Sequence, residues 1–138
     1  MKKILILLVS IFIFNSCNDE DDSIKDLEIV VEKPMLKYSG NFIPTFGINV
    51  NGNSKIYLEG NTYKLKLENF TISDGPDLKV YLSKSDTPID FINLGPLVIG
   101  SNLMYNIPNS VNFKEYKYVL IHCQQYNHLF ATSNLIMI

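Results

Sequence analysis

Apolar and polar positions alternate with a period of two along much of this chain. Tyr63, Leu65 and Leu67 are interleaved with Lys64, Lys66 and Glu68, so an extended segment here has one apolar face and one charged face, as in a half-buried strand. Leu78, Val80 and Leu82 alternate in the same way with Lys79, Tyr81 and Ser83, and residues 116–125 are rich in aromatic and β-branched types; both read as strands. Weaker signals at 35–42, 47–50, 55–59, 97–99, 103–107 and 129–136 bring the total to about nine. Asn51-Gly52 predicts a hairpin turn between Ile48/Val50 and Ile56/Leu58, because a tight primed turn needs positive φ. Gly60-Asn61 predicts another. Asp74-Gly75-Pro76-Asp77, Gly95-Pro96 and Pro108-Asn109 interrupt the chain again, and no stretch carries a helical apolar stripe. The expected fold is all-β, an antiparallel β-sandwich or barrel-like domain of about 8–10 strands with little helix.

The first residues read differently. Lys2 and Lys3 precede the almost wholly apolar run Ile4 to Phe14, which has the length of a signal h-region and falls short of the roughly 18 residues a spanning helix needs. The run ends at Asn15-Ser16-Cys17, which resembles the lipobox of bacterial lipoproteins, with Phe14 and Asn15 as loose matches and the Ser-Cys pair as a good one. The resemblance implies a signal peptide over 1–16, a diacylglyceryl group on the Cys17 thiol and a further acyl chain, such as palmitate, on its freed amine. Several chains anchor stably where one binds only marginally. The alternatives are an ordinary secretory signal or a Cys17–Cys123 disulfide. Asn18-Asp19-Glu20-Asp21-Asp22-Ser23 is too charged to pack and reads as an acidic tether over 17–28, leaving 29–138 as one domain. The acidic run also resembles the surface-export tag of some Gram-negative lipoproteins. The expected location is therefore the bacterial cell envelope, as an outer-membrane lipoprotein attached through its lipid; the acidic run reads either as a tag for display at the surface or as a solvated spacer.

Composition narrows the partners. The chain has 138 residues, 46% apolar and 19% charged, which suits one folded domain and excludes disorder. All twelve cations are Lys, so the guanidinium fork that reads phosphate and guanine edges is absent. From Ile29 onward nine Lys face eight acids, too even a balance to steer a polyanion. Nucleic acid is not an expected partner. Eight Tyr and fifteen Asn suit a protein or glycan contact surface, although strand propensity also accounts for them.

Within the strand predicted at 116–125, Cys123 shares a side with Val119 and Ile121, and His122 shares the other with Tyr118, Leu120 and Gln124. A thiol on a Val/Ile face is commonly a small buried hydrophobe. With Cys17 lipidated, however, Cys123 is the one remaining thiol in a compartment where disulfides form, and it must be shielded, ligated or reactive. Cys123 and His128 have the Cys-x4-His spacing of part of a blue-copper loop, but the second distant His is missing and Thr132 stands where Met could fall, so copper is not supported. Haem stays open as a cofactor, with Cys123 as a ligand and His128 or Met104 as its partner. Two His and one Cys on divergent faces make a poor zinc set. Asp74 and Asp77, with Asp86 or Asp90, could offer oxygens to calcium, yet turn chemistry explains them adequately. No metal site is expected. No Gly-x-Ser-x-Gly elbow occurs, no catalytic residue is assigned, and the chain is not read as an enzyme.

Gly75-Pro76-Asp77-Leu78 leading into Val80-Tyr81-Leu82-Ser83, then Leu94-Gly95, Tyr105-Asn106-Ile107-Pro108 and Tyr118 to Cys123 occur in the order and spacing of the DM-thirteen, or Skeletor-type, domain. Gly40-Asn41-Phe42 and Leu67-Glu68-Asn69-Phe70 resemble its opening strands, so the likeness covers about Tyr38 to Met137. It implies a β-domain with an electron-transfer role centred on a cysteine that follows a tryptophan. Cys123 matches that cysteine; His122 takes the tryptophan's place, and the chain has no Trp. The resemblance makes Cys123 the redox candidate. The alternative is a non-catalytic surface binding or adhesion module in which Cys123 packs in the core.

Overall fold

The alternating segments do become strands. The computed structural model describes residues 32–100 and 103–138; the leader, Cys17 and the tether lie outside them. Nine strands form among the described residues: β1 (Met35–Pro44), β2 (Val50–Glu59), β3 (Thr62–Ile72), β4 (Leu78–Ser83), β5 (Phe91–Pro96), β6 (Met104–Ile107), β7 (Tyr118–Cys123), β8 (His128–Asn134) and β9 (Ile136–Met137). No helix occurs among these residues. The strand order is β5-β4-β7-β8-β1-β2-β3-β6, with β9 added beside β1, and every pairing is antiparallel.

One strand makes two layers out of this single ladder. Met35 to Asn41 of β1 pair with β2, whereas Phe42 to Pro44 pair with β8, so β1 leaves one layer and enters the other at Gly40-Asn41-Phe42. The edges β5 and β6 then approach each other, where the Tyr105 hydroxyl donates to the Pro96 carbonyl at 3.1 Å, and the sheet is nearly closed into a barrel. Inward residues fill it: Ile56, Leu65, Leu67, Leu78, Val80, Leu82, Val119, Ile121, Cys123 and Ala131 belong to one buried cluster. Burying each Val, Leu or Ile contributes about 1.5–3 kcal/mol against the entropy of ordering the chain. On the outer side of β2 and β3, Glu68 accepts hydrogen bonds from Lys55 at 2.5 Å and from the Tyr57 hydroxyl at 2.9 Å. The Lys55 contact leads the causes that hold the Glu68 carboxyl below its ordinary range.

Several expectations from the sequence are corrected. Asn51-Gly52 is not a hairpin turn, because Val50 to Glu59 run as one strand along β3 and the pairing register shifts between Asn51 and Asn53. Gly52 has φ 112°, and a Cβ there would stand 2.7 Å from the Glu68 carbonyl oxygen and 2.8 Å from Phe70 Cα. Glycine is needed for a bulge with close backbone approach, not for a chain reversal. The reversal comes at Gly60-Asn61, between the paired residues Glu59 and Thr62. Residues 97–99 are not a strand; the strand is β5, just before them, and it contains the Gly95-Pro96 pair read as a break. Proline is tolerated because β5 is an edge strand, and an edge strand leaves one row of N–H groups unpaired.

The layer crossing depends on small residues. A Cβ on Gly40 would overlap the Asn134 carbonyl oxygen and Ser133 Oγ. Beside it, Ser54 and Ser133 are fully buried and share a hydrogen bond of 2.7 Å between their hydroxyls. We expect Gly40→Ala to destabilise the domain by more than about 2 kcal/mol in urea unfolding, the range for overpacking a closed site. Ser54→Ala leaves the Ser133 hydroxyl buried without this partner and should cost about 1–3 kcal/mol, whereas Ser54→Ala with Ser133→Ala should cost less than the sum of the two single changes.

Candidate functional site

Cys123 ends β7 on the inner face of its layer. Its backbone partners are Leu78 on β4 and His128 on β8. The β7–β8 register shifts after Ile121, which pairs with Ala131, so that His122 pairs with Leu129 and Phe130 becomes the extra residue. This bulge matters for the chemistry. It lets Phe130 and Ala131 both enter the core and places His128 directly across from Cys123, and directly opposed residues of an antiparallel pair share a face. The His128 ring packs edge-on against Phe130, with centroids 5.4 Å apart. His128 is exposed, whereas Cys123 is a free cysteine at 0% exposure.

Two turns meet over this end of the barrel. The Gln124 amide donates to the Asp77 carbonyl at 3.0 Å, and the Asn127 amide donates to Gln124 at 3.3 Å. Gly75 lies close on Leu78 and Phe130, since a Cβ there would fall 2.7 Å from Leu78 Cδ2 and 3.0 Å from Phe130 Cζ. The Thr45 hydroxyl donates to the Leu129 carbonyl at 2.6 Å and ties the loop after β1 to the same region. Asp77 pairs with Lys79 at 2.7 Å, which accounts for one of the two carboxylates considered for calcium.

His122 faces the opposite side, as its place in the strand requires. It is only 4% exposed and stacks on Tyr81 at 5.4 Å, which in turn stacks on Phe91 at 4.0 Å. Its Nε2 lies 3.2 Å from Asn127 Oδ1. With that amide oxygen as acceptor, Nε2 carries the proton and Nδ1 presents its lone pair. Nδ1 is buried with no hydrogen-bond partner. Burial pushes the His122 imidazolium pKa below its ordinary value; the Asn127 contact acts against this and the neighbouring His128 adds to it. Lys79 sits across from His122 on β4. Sequence reasoning missed the Tyr81–Phe91–His122 stack because the strand that supplies Phe91 was hidden by Gly95-Pro96.

Of the residues singled out from the sequence, Cys123 and His128 are brought together, while His122 and Met104 are not joined to them. Met104 lies on the outer wall of the other layer, in a cleft of about 280 Å³ with Lys33, Pro34, Tyr57, Glu59 and Lys66. Haem does not fit beside Cys123 in this arrangement. The thiol is sealed in a packed apolar cluster, and a prosthetic group of that size needs a pocket of several hundred Å³. Among the described residues no group of three or more His, Cys, Asp or Glu converges.

The depressed His122 pKa has a definite sign in stability. Above about pH 6.5 both folded and unfolded chains hold it neutral. As pH falls through that value the unfolded chain takes up a proton that the folded chain resists, so this contribution to stability is lost on acidification, at no more than about 1.4 kcal/mol per pH unit for one proton. Urea unfolding between pH 7 and pH 5 should show a shallower decline for His122→Gln than for the wild-type chain; equal slopes would contradict this assignment.

A family model described as electron transfer DM13 matches residues 41–135. No curated protein and no solved structure matches the chain.

Proposed function

Since the chain belongs to the electron transfer DM13 family, we propose that it is a lipid-anchored protein of the bacterial cell envelope whose β-domain passes electrons through Cys123. The observation that carries this reading is the opposition of Cys123 and His128 on one face of β7 and β8. An imidazole opposite a thiol can take its proton, and the thiolate is the nucleophile in exchange with a disulfide. The partner is a protein disulfide. Cys123 sulfur bonds to one partner sulfur, the partner's S–S bond breaks, and the second partner sulfur leaves with the electron pair and takes up a proton. A second thiol, as thiolate, then attacks the partner's sulfur in this mixed disulfide, the bond to Cys123 breaks, and Cys123 leaves with the electron pair and takes up a proton. The chain acts as a carrier in this scheme and not as an enzyme.

Complete burial of Cys123 sets a condition on this chemistry. Exchange requires the turns 74–77 and 124–127 to part, breaking the bond between Gln124 and Asp77, which is a local opening rather than unfolding. The same burial favours a second reading, in which Cys123 only packs and the domain is a binding or adhesion module. The anchor rests on the leader and Ser16-Cys17; lipidation there leaves Cys123 as the only thiol.

Titration of the full chain with an aromatic disulfide reagent separates the two readings. We expect one thiol per chain to react under native conditions, at least tenfold more slowly in His128→Ala. A thiol silent until denaturant unfolds the domain would end the redox reading and leave the binding module. An intact mass showing an unmodified Cys17 would end the anchor reading separately.

A further inference from the structure

Twelve large apolar side chains are exposed among the described residues, Phe46 most of all, and four of them lie together on β1 and on or just after β9. Met35 is 57% exposed, and Ile136, Met137 and Ile138 are 65%, 73% and 74% exposed. These four meet at one end of the domain. Tyr38 pairs with Met137 and Ser39 with Ile136, the Ile138 amide donates to the Lys37 carbonyl at 3.0 Å, and Lys37 Nζ reaches Met35 Sδ at 3.7 Å. A furrow of about 70 Å³ runs between Lys37, Tyr38, Met137 and Ile138.

Charge and chain direction point to the same occupant. Among the described residues Lys55, Lys64, Lys66, Lys79 and Lys84 are ion-paired, whereas Lys33 and Lys37, like Lys114 and Lys117, have no carboxylate within ion-pair distance. Unpaired lysines beside exposed Met and Ile form an amphipathic rim, in which the aliphatic stems lie along apolar surface and the ammonium groups reach polar head groups. The chain enters the domain at Glu32-Lys33-Pro34, immediately before Met35, and only fourteen residues lie between Cys17 and Glu32. At full extension such a segment spans at most about 50 Å. A lipid on Cys17 therefore keeps the domain within that reach of the bilayer and makes a second contact intramolecular, so that even millimolar intrinsic affinity suffices.

We propose that the end of the domain formed by Met35, Lys37 and Ile136 to Ile138 rests on the lipid bilayer that holds the Cys17 anchor, with Lys33 and Lys37 at the head groups. The proposal builds on the anchor reading above and is independent of the redox one. It places the Cys123 end of the barrel away from the membrane, because β1 starts at the contact and ends at Pro44, beside Thr45 and its bond to Leu129.

The test uses the full chain, carrying its own anchor, in nanodiscs of phosphatidylethanolamine with a minority of phosphatidylglycerol and a paramagnetic head-group lipid. Methyl NMR of Met and Ile then reads distance to the membrane. We expect the Met35, Ile136, Met137 and Ile138 methyls to relax at least fivefold faster than Ile43, at the other end of β1, and the excess to be lost from Met35 in the variant Ile136→Ser with Met137→Gln. Acylated Cys17 with these methyls relaxing no faster than Ile43 would overturn the contact face while the anchor reading stands. An unmodified Cys17 in the same sample would end the anchor reading and the contact face together.

Discussion

The fold depends on one strand crossing between two layers at a residue without a side chain. β1 pairs with β2 through Asn41 and with β8 from Phe42, and the crossing is possible because Gly40 lets the backbone of β8 approach. Every larger side chain would begin with a Cβ that overlaps Asn134 and Ser133. The Ser54–Ser133 hydrogen bond sits beside this crossing in a region from which water is excluded. Mutual satisfaction offsets the cost of removing these two hydroxyls from water. Were β1 to stay in one layer, the two inner faces would not meet and the apolar cluster would have no second wall.

A smaller irregularity shapes the candidate site. Without the extra residue at Phe130, the alternation along β8 would send His128 to the face of His122 and leave Cys123 opposite a different side chain. With it, Phe130 plugs the end of the core and His128 stands over the thiol's side of the sheet. The cost is closure: Gly75, Leu78 and Phe130 pack tightly over the end where the thiol lies. A sulfur that is shielded at rest and reached by local opening is protected from adventitious oxidation, since susceptibility follows exposure. The His122 side of β7 carries a contrasting environment, with a neutral imidazole stacked in an aromatic ladder and its proton directed at Asn127.

Strand identity was largely legible in the chain. Leu65 and Leu67 on β3, Leu78, Val80 and Leu82 on β4, and Val119, Ile121 and Cys123 on β7 all face the core as their spacing implies, because pleating forces successive side chains to opposite faces. Glycine was the ambiguous letter. Gly52 and Gly60 look alike in sequence, yet one sits in a bulge and the other in a hairpin turn; a pairing partner decides between them, and that partner is distant in the chain. Gly95-Pro96 was misread for the same reason, since an edge position removes the demand for an amide that would otherwise exclude proline.

By itself the sequence determined the all-β class, the face on which Cys123 lies, the divergence of His122 from it and the likeness to a family named for electron transfer. These follow from a period of two and from short motifs, both of which are local along the chain. Only the tertiary structure decided that His128 stands across from Cys123 in the ladder, that haem does not fit beside the sulfur, and that Met35 and the residues of β9 gather at one end. Those outcomes depend on strand register, and register is set by bulges and by the crossing of β1, where backbones far apart in sequence approach each other.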